Sequence, residues 1–304
     1  MKTAAVSELQ YVPPAEGPRQ VPLLFRAERD RLLDLLSDLS PADWGRPTPC
    51  PGWTVLDLCR HLVGDDFSAL SWHRDEHRGT NPPAGTGEAG FVDWLDELQR
   101  EWVLASRRLS PRLVCELLAW TGPQLVETFR LADPGARTAH VSWAGPDPVP
   151  VWLDHVRELS EHWIHRQQLL EALGRAADLD EHLDNDPLLV ILDGFRWAYP
   201  YRLGESGLVA TAGGDHVVIE VTPTGPVWTV AVDEEGRWGF APLAGGRGRE
   251  VGRVTMPANA AWRLLTNNLD ASRRSGLHAS GDPAVVNILL RTRAIVGRPN
   301  DMAG

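Results

Sequence analysis

The amino-acid sequence predicts two folded parts, an all-α bundle followed by a small α+β domain. Up to about residue 203, apolar residues recur at helical spacing in a series of long segments. After residue 203, short runs of β-branched and aromatic residues alternate with turn residues, as in strands. The length of 304 residues also fits two domains at about 150 residues each.

The helical part is predicted to span residues 21–203, after a lead-in of residues 1–20. The lead-in has three prolines and no apolar periodicity, so we expect it to be flexible. A capping box of Thr54 and Asp57 marks the start of the second helix. Helices are predicted over 21–39, 54–73, 91–109, 111–131 (interrupted at Gly122 and Pro123), 149–173 and 186–203.

Residues 204–304 are predicted to form the α+β domain. Its strands are expected over 216–222, 227–233 and 237–243, and a Pro-Thr-Gly-Pro turn joins the first two as a hairpin. Helices are expected over 257–268 and 283–297, with a further short strand, SGLHASG, at 275–281 between them.

Composition excludes several classes of function. The chain has 41 acidic and 30 basic residues, and a net charge of −11 disfavours nucleic-acid and polybasic membrane-surface partners. No apolar run approaches the roughly 18 residues of a membrane helix, and the first 20 residues lack the apolar stretch of a secretory signal. Three cysteines (Cys50, Cys59 and Cys115) are too few for a disulfide framework or a thiolate zinc site. We therefore expect a cytoplasmic protein.

One helical pair has the spacing of metal ligands. Glu161 and His165 are four residues apart, so their side chains lie one turn apart on the same helical face. His61 flanks the apolar stripe of its own helix and is a candidate third ligand. Two imidazoles and one carboxylate are typical of catalytic zinc, which keeps a fourth position open, although another divalent metal could bind.

Spacing alone does not select this pair. Glu158 and His162 repeat the same interval on the same helix. The apolar stripe of that helix also points nearly away from Glu161 and His165, so a site there requires the helix to be covered on two sides. Such Glu–His pairs are common on solvated faces, and both pairs stay open at this point.

Two longer motifs resemble a known family. PTPCPGWTVLDLCRHLVGDD (47–66) resembles the N-terminal signature of the mycothiol-dependent maleylpyruvate isomerase family, of the DinB-like superfamily. EHWIHRQQLLEALGR (161–175) resembles the family's second signature, and residues 260–296 are similar to its second domain. The resemblance implies a DinB-like four-helix bundle over 21–203 and a sterol-carrier-like domain over 204–304.

The resemblance also implies a site. It selects His61, Glu161 and His165 as ligands of zinc or another divalent metal, and mycothiol, the low-molecular-weight thiol of actinobacteria, as co-substrate. Lys2 is the sole lysine, and this arginine bias fits a GC-rich source. Asp65 and Arg166 are further candidates for contact with the thiol or the substrate.

The first functional hypothesis is a zinc-dependent thiol S-transferase, which activates mycothiol as a thiolate for addition to an electrophilic small molecule. The alternative is a cis–trans isomerase of maleylpyruvate type, in which the thiol leaves after bond rotation. Thr266-Asn267-Asn268 stands where relatives often carry a basic residue, which slightly favours the transferase, although Arg273 or Arg274 could substitute.

Two further classes stay open. One is a metal hydrolase with Asp65 as general base, and the other is a non-catalytic binding protein. A monomer or a homodimer is expected. Cys50 is expected to be structural, Trp53 to pack at the helix entry, and the other candidate histidines to be solvated: His73, His77, His140, His182 and His216.

Overall fold

The computed structural model describes residues 17–86, 88–137, 141–179, 186–207, 213–241, 248–270 and 273–294. These residues fall into two compact units. The first takes in 17–137 and 150–179, and the second takes in 141–149 and the described residues from 186 onward. Among the described helices, none is long and apolar enough to cross a membrane.

The first unit is helical. Helices α1, α2, α4 and α5 pack against one another as a bundle, and α3 packs against α2. The core between them is filled by buried aliphatic side chains from these helices, among them Leu32, Leu58, Leu118 and Leu169. The bounds are α1 Gly17–Ser37, α2 Val55–His73, α3 Glu88–Ala105, α4 Pro111–Leu131 and α5 Val151–Ala172. The predicted helical bundle is confirmed.

The ends of the helices follow local chemistry. The capping box that starts α2 is present, because the Thr54 hydroxyl accepts from the backbone N–H of Asp57 and the Asp57 carboxylate accepts from that of Thr54. Helix α1 begins at Gly17, inside the predicted lead-in, and residues 1–16 lie outside the described residues.

The predicted interruption of α4 is wrong. The helix continues through Gly122 and Pro123 without a break. Helix α1 packs closely there, since a Cβ on Gly122 would lie 2.8 Å from Cγ of Arg29. Tertiary packing thus outweighs the weak helix propensity of these two residues.

A second close approach joins α2 to α3. The Trp102 indole donates to the carbonyl of Arg60 at 2.7 Å, and a Cβ on Gly64 would lie 2.4 Å from its Nε1. We expect Gly64→Ala to lower the free energy of unfolding by about 1–3 kcal/mol, because the indole must shift. Urea unfolding measures this, with Gly45→Ala as control because no atom lies within 4 Å of its Cβ position. Equal stability of the two variants would contradict the packing described.

The second unit contains a mixed sheet of order β3-β2-β1-β4-β5. Strand β1 pairs antiparallel with β2 and parallel with β4, whereas β3 and β5 are antiparallel edge strands. The bounds are α6 Asp186–Phe195, α7 Ala198–Glu205, β1 His216–Thr222, β2 Val227–Val232, β3 Trp238–Ala241, β4 Glu250–Pro257, α8 Ala258–Leu265, β5 His278–Gly281 and α9 Pro283–Arg291. The predicted α+β class of this part is confirmed.

Two details differ from the sequence-based expectation. Strand β4 was not predicted, because Gly252 and Arg253 interrupt its apolar pattern; Gly252 leaves room for Val285 of α9. The segment predicted as one helix over 186–203 forms α6 and α7, which lie in the sheet-bearing unit. The division of the chain at residue 203 therefore stays a prediction about domains. Residues 242–247, the end of the third predicted strand, lie outside the described residues.

Candidate metal centre

Three polar side chains from α2 and α5 converge in the helical unit. Oε1 of Glu161 lies 2.8 Å from Nε2 of His61 and 2.9 Å from Nε2 of His165. The two imidazole rings meet edge to face, with centroids 4.8 Å apart. The structure thus brings together the three residues that the resemblance implies as ligands.

The outer nitrogen of each imidazole bonds to a glutamine. Nδ1 of His61 donates to Oε1 of Gln99 at 2.9 Å, and Nδ1 of His165 donates to Oε1 of Gln168 at 2.7 Å. An amide oxygen only accepts, so the Nδ1 atoms carry hydrogens. In a neutral imidazole this leaves Nε2 with a lone pair that faces Glu161, which is the usual second-layer arrangement of metal-binding histidines.

Burial and mutual charge set the protonation of the three residues. Burial lowers the pKa of His61. Burial also disfavours the charged form of His165, but the Glu161 carboxylate outweighs it and holds the pKa of His165 well above its ordinary value. Burial raises the pKa of Glu161, but the two histidines outweigh this effect and hold it well below its usual range.

These features fit a divalent metal. His61 is neutral and carries its hydrogen on Nδ1, so the lone pair of its Nε2 faces the ionised Glu161 carboxylate. A lone pair and an anion repel each other, and a cation between the two groups would remove that repulsion. A proton on His165 satisfies one side of the carboxylate; a metal ion would satisfy all three donors and release that proton. Two imidazoles and one carboxylate are also the donor set of catalytic zinc.

The glutamines offer a test of this arrangement. We expect Gln99→Leu to weaken divalent-metal binding by about 10–100-fold, because the hydrogen bond that orients the His61 ring through Nδ1 would be lost. Gln99→Glu keeps an acceptor in place and should retain wild-type affinity. Competition with a chromogenic chelator measures both affinities. Unchanged metal affinity in Gln99→Leu would show that the glutamine does not support the ligand.

Among the described residues, the alternative pair Glu158 and His162 does not converge on one site. Nε2 of His162 lies 3.0 Å from Oδ1 of Asp66. Glu158 instead accepts a hydrogen bond from Arg157. A site on this face of α5 requires that other helices cover it. Helix α2 and Gln99 of α3 cover the face that carries Glu161, so this requirement is met.

His162 belongs to a fully buried ion-pair network. The Arg29 guanidinium donates twice to Asp66, at 2.7 Å each, and Thr121 also donates to that carboxylate. Burial raises the pKa of Asp66, but Arg29 and then His162 outweigh it and hold the pKa below its ordinary range. Because Arg29 also donates to the carbonyl of Leu118, the network joins α1, α2, α4 and α5.

The structure places the two other candidates, Asp65 and Arg166, in different surroundings. Arg166 donates to Glu28 in a buried ion pair. Asp65 lies close to Glu158 and Glu161, and burial followed by these two charges raises its pKa well above the ordinary value. Its Oδ2 is buried and has no hydrogen-bond partner among the described residues. Contact of Asp65 or Arg166 with thiol or substrate stays a prediction.

The loop before α2 forms a wall of the centre. Sγ of Cys50 donates to Oε1 of Gln168 at 3.1 Å, the same oxygen that holds His165. The Trp53 ring packs on His61, with centroids 5.1 Å apart. The sequence offers one signal for this role, since the motif PTPCPGW runs directly into the helix that carries His61.

Sequence reasoning missed the environment of His73. This residue was expected to be solvated, but its side chain is only 9% exposed and faces Asp154 and Glu158. His77 is exposed and His216 is partly buried, whereas His140 and His182 lie outside the described residues. The last turn of α2 contacts α5, which no local pattern indicates.

Comparison with known proteins gives one family match and two similar curated proteins. Residues 25–170 match the family described as mycothiol maleylpyruvate isomerase N-terminal domain. Uncharacterized proteins from two strains of Mycobacterium tuberculosis, CDC 1551 / Oshkosh and H37Rv, are each 34% identical over 155 residues. The match covers 49% of this chain, and the chain spans only 55% of those relatives.

Among solved structures, the crystal structure of a mycothiol-dependent maleylpyruvate isomerase aligns with 88% of this chain. The alignment covers 93% of that protein at 16% identity, with a TM-score of 0.49, and a mutant of the same enzyme gives the same values. The sequence match over residues 25–170 agrees with the resemblance in the two signature motifs. Over residues 25–170, this chain is thus similar to the N-terminal domain of the mycothiol maleylpyruvate isomerase family.

Proposed function

We propose that this protein is a mycothiol-dependent metalloenzyme that isomerises an activated cis double bond, as in maleylpyruvate. The single observation behind the proposal is the convergence of His61, Glu161 and His165 inside a domain of this family. The thiol would add to the double bond, the resulting single bond would rotate, and the thiol would leave with the trans bond restored. No thiol is consumed in this cycle.

The residues of the chain would prepare the site for this chemistry. A divalent metal, zinc in our proposal, would be held by Nε2 of His61, Oε1 of Glu161 and Nε2 of His165 and would favour the thiolate form of a bound thiol at neutral pH. Gln99 and Gln168 keep the hydrogens on the Nδ1 atoms, so that both Nε2 lone pairs are available.

Two neighbours would control the surroundings of the thiol. The Trp53 ring packed on His61 shields one side of that ligand from water. Burial and the charges of Glu158 and Glu161 raise the pKa of Asp65 well above its ordinary value, which disfavours a further negative charge beside an anionic sulfur. Both effects favour an anionic nucleophile at this position.

A second candidate is the S-transferase, in which the thiol stays on the product. The observation in its favour is the segment Thr266-Asn267-Asn268, which stands where the resemblance implies a basic residue in relatives; in the structure the Asn267 side chain accepts a hydrogen bond from Arg293. Arg273, a possible substitute, is paired with Asp270. This departure from the family pattern would suit an electrophile that lacks the carboxylates of maleylpyruvate.

Product analysis distinguishes these functions. We would incubate zinc-loaded protein with maleylpyruvate and a small amount of mycothiol and follow both by NMR. Isomerisation that exceeds the amount of thiol, with the thiol recovered, supports the isomerase. A thioether formed at one equivalent per thiol, with maleylpyruvate or a maleate ester, supports the transferase. Cleavage of the substrate by water that proceeds equally well without thiol would contradict both and indicate the hydrolase, and binding of the substrate without any conversion would indicate a binding protein.

A further inference from the structure

A second group of metal-ligand side chains lies on the same two helices. His73 is the last residue of α2, and Asp154 and Glu158 are one turn apart on α5. All three side chains are at least nine-tenths buried, with 9%, 6% and 3% exposed. One ligand atom from each lies within 4.8 Å of the others.

The distances leave room for an ion. Nε2 of His73 lies 3.7 Å from Oδ2 of Asp154 and 4.0 Å from Oε1 of Glu158, and both gaps exceed hydrogen-bond length. This buried nitrogen has no hydrogen-bond partner among the described residues. A metal at about 2.0–2.2 Å from each atom would bridge such gaps with small movements of the side chains.

The charges also favour a cation. Arg157 donates to Oδ1 of Asp154 at 2.9 Å and to Oε1 of Glu158, so it neutralises one of the two carboxylates. The second oxygen of Asp154, Oδ2, faces His73 and is not the one bonded to Arg157. One positive and two negative side chains therefore stand beside His73, a formal excess of one negative charge. Burial of such a charge is costly unless it is paired.

An ion could reach this position from solvent. A cavity of about 560 Å³ opens beside His73 and is lined by Gln124, Glu127 and Thr128 of α4 among other residues. A metal site needs such an entry path as well as its ligands. The first centre does not use this cavity, since none of its three ligands lines it.

We propose that His73, Asp154 and Glu158 form a second divalent-metal site in the helical unit. One imidazole with two carboxylates suits Zn²⁺ or Mn²⁺. Glu158 precedes Glu161 by three residues, which is about 4.5 Å along the helix axis, so α5 would carry two ions side by side. The second ion would fasten the end of α2 to α5 beside the cavity.

Zinc stoichiometry after loading and desalting tests the proposal. We expect two equivalents in the wild type, one in His73→Ala, one in His61→Ala and none in the double variant. His77→Ala is the matched control, because His77 is an exposed histidine four residues beyond His73, and it should keep two equivalents. Circular dichroism confirms folding, and Asp154→Asn replaces His73→Ala if that variant does not fold.

The outcomes separate this proposal from the proposed function. One equivalent in the wild type that His61→Ala removes and His73→Ala does not would overturn the second site and leave the first intact. One equivalent that only His73→Ala removes would support the second site and count against the first centre. Two equivalents that survive both His73→Ala and Asp154→Asn would also overturn the proposal.

Discussion

His61→Ala is expected to lose the metal of the first centre and to lower thiol-dependent turnover by about 1,000-fold, or about 4 kcal/mol of transition-state stabilisation. His61 is the only ligand contributed by α2, and its Nε2 lies 2.8 Å from Oε1 of Glu161. Without it, Glu161 and His165 pair with each other alone, and a proton on His165 satisfies the carboxylate.

Metal analysis and steady-state kinetics with mycothiol measure this effect together. His77→Ala removes an exposed histidine and should leave both quantities unchanged. A His61→Ala protein that turned over at the wild-type rate would show that this centre is not catalytic, whatever its metal content.

Asp66→Asn is expected to lower the free energy of unfolding by about 3–5 kcal/mol. Asp66 is fully buried and receives two hydrogen bonds from Arg29. An amide in its place leaves the Arg29 guanidinium as a buried charge without its counter-ion. The loss would destabilise the packing of α1 and α4 against α2, because Arg29 and Leu118 join the same network.

Urea unfolding of Asp66→Asn measures this loss. Asp75→Asn is the matched control, since Asp75 pairs with Arg74 at the surface, where both side chains are exposed and water screens the pair, so its substitution should barely change stability. Equal effects of the two substitutions would mean that the buried pair is not a major support of the bundle.

The buried ion pairs of Asp66 also make the free energy of unfolding depend on pH in acid. The folded-state pKa of Asp66 lies below its ordinary value of 3.8. Its contribution is therefore complete above pH 3.8 and is lost as the pH falls from there toward the folded-state pKa. The difference in stability between wild type and Asp66→Asn should narrow as the pH falls below 3.8, which urea titrations at several pH values measure.

Local patterns predicted the parts of the fold that depend on local chemistry. The capping box of Thr54 and Asp57 and the apolar spacing in the bundle needed only neighbouring residues. The break predicted at Gly122 and Pro123 was wrong, because the packing of α1 on α4 decides there. Strand β4 was missed since its Gly252 is explained only by Val285, a residue distant in sequence.

The candidate centre was predictable only in part. Spacing on α5 left Glu161–His165 and Glu158–His162 equal, and the signature motifs were needed to choose between them. The hydrogen bond that orients His61 was not predictable. Gln99 lies on α3, and only the packing of α3 on α2 brings it to His61. His73 was assigned to solvent for the same reason, since its environment depends on contacts between helices.

The affinity of mycothiol for metal-loaded and metal-stripped protein tests the central claim most directly. Calorimetric titration should show saturable binding of the thiol to zinc-loaded protein, loss of binding after chelation, and loss in His61→Ala. His73→Ala should bind mycothiol as the wild type does, because the second site is not part of the centre. Equal affinity with and without metal would contradict the assignment of His61, Glu161 and His165 as the thiol-activating centre.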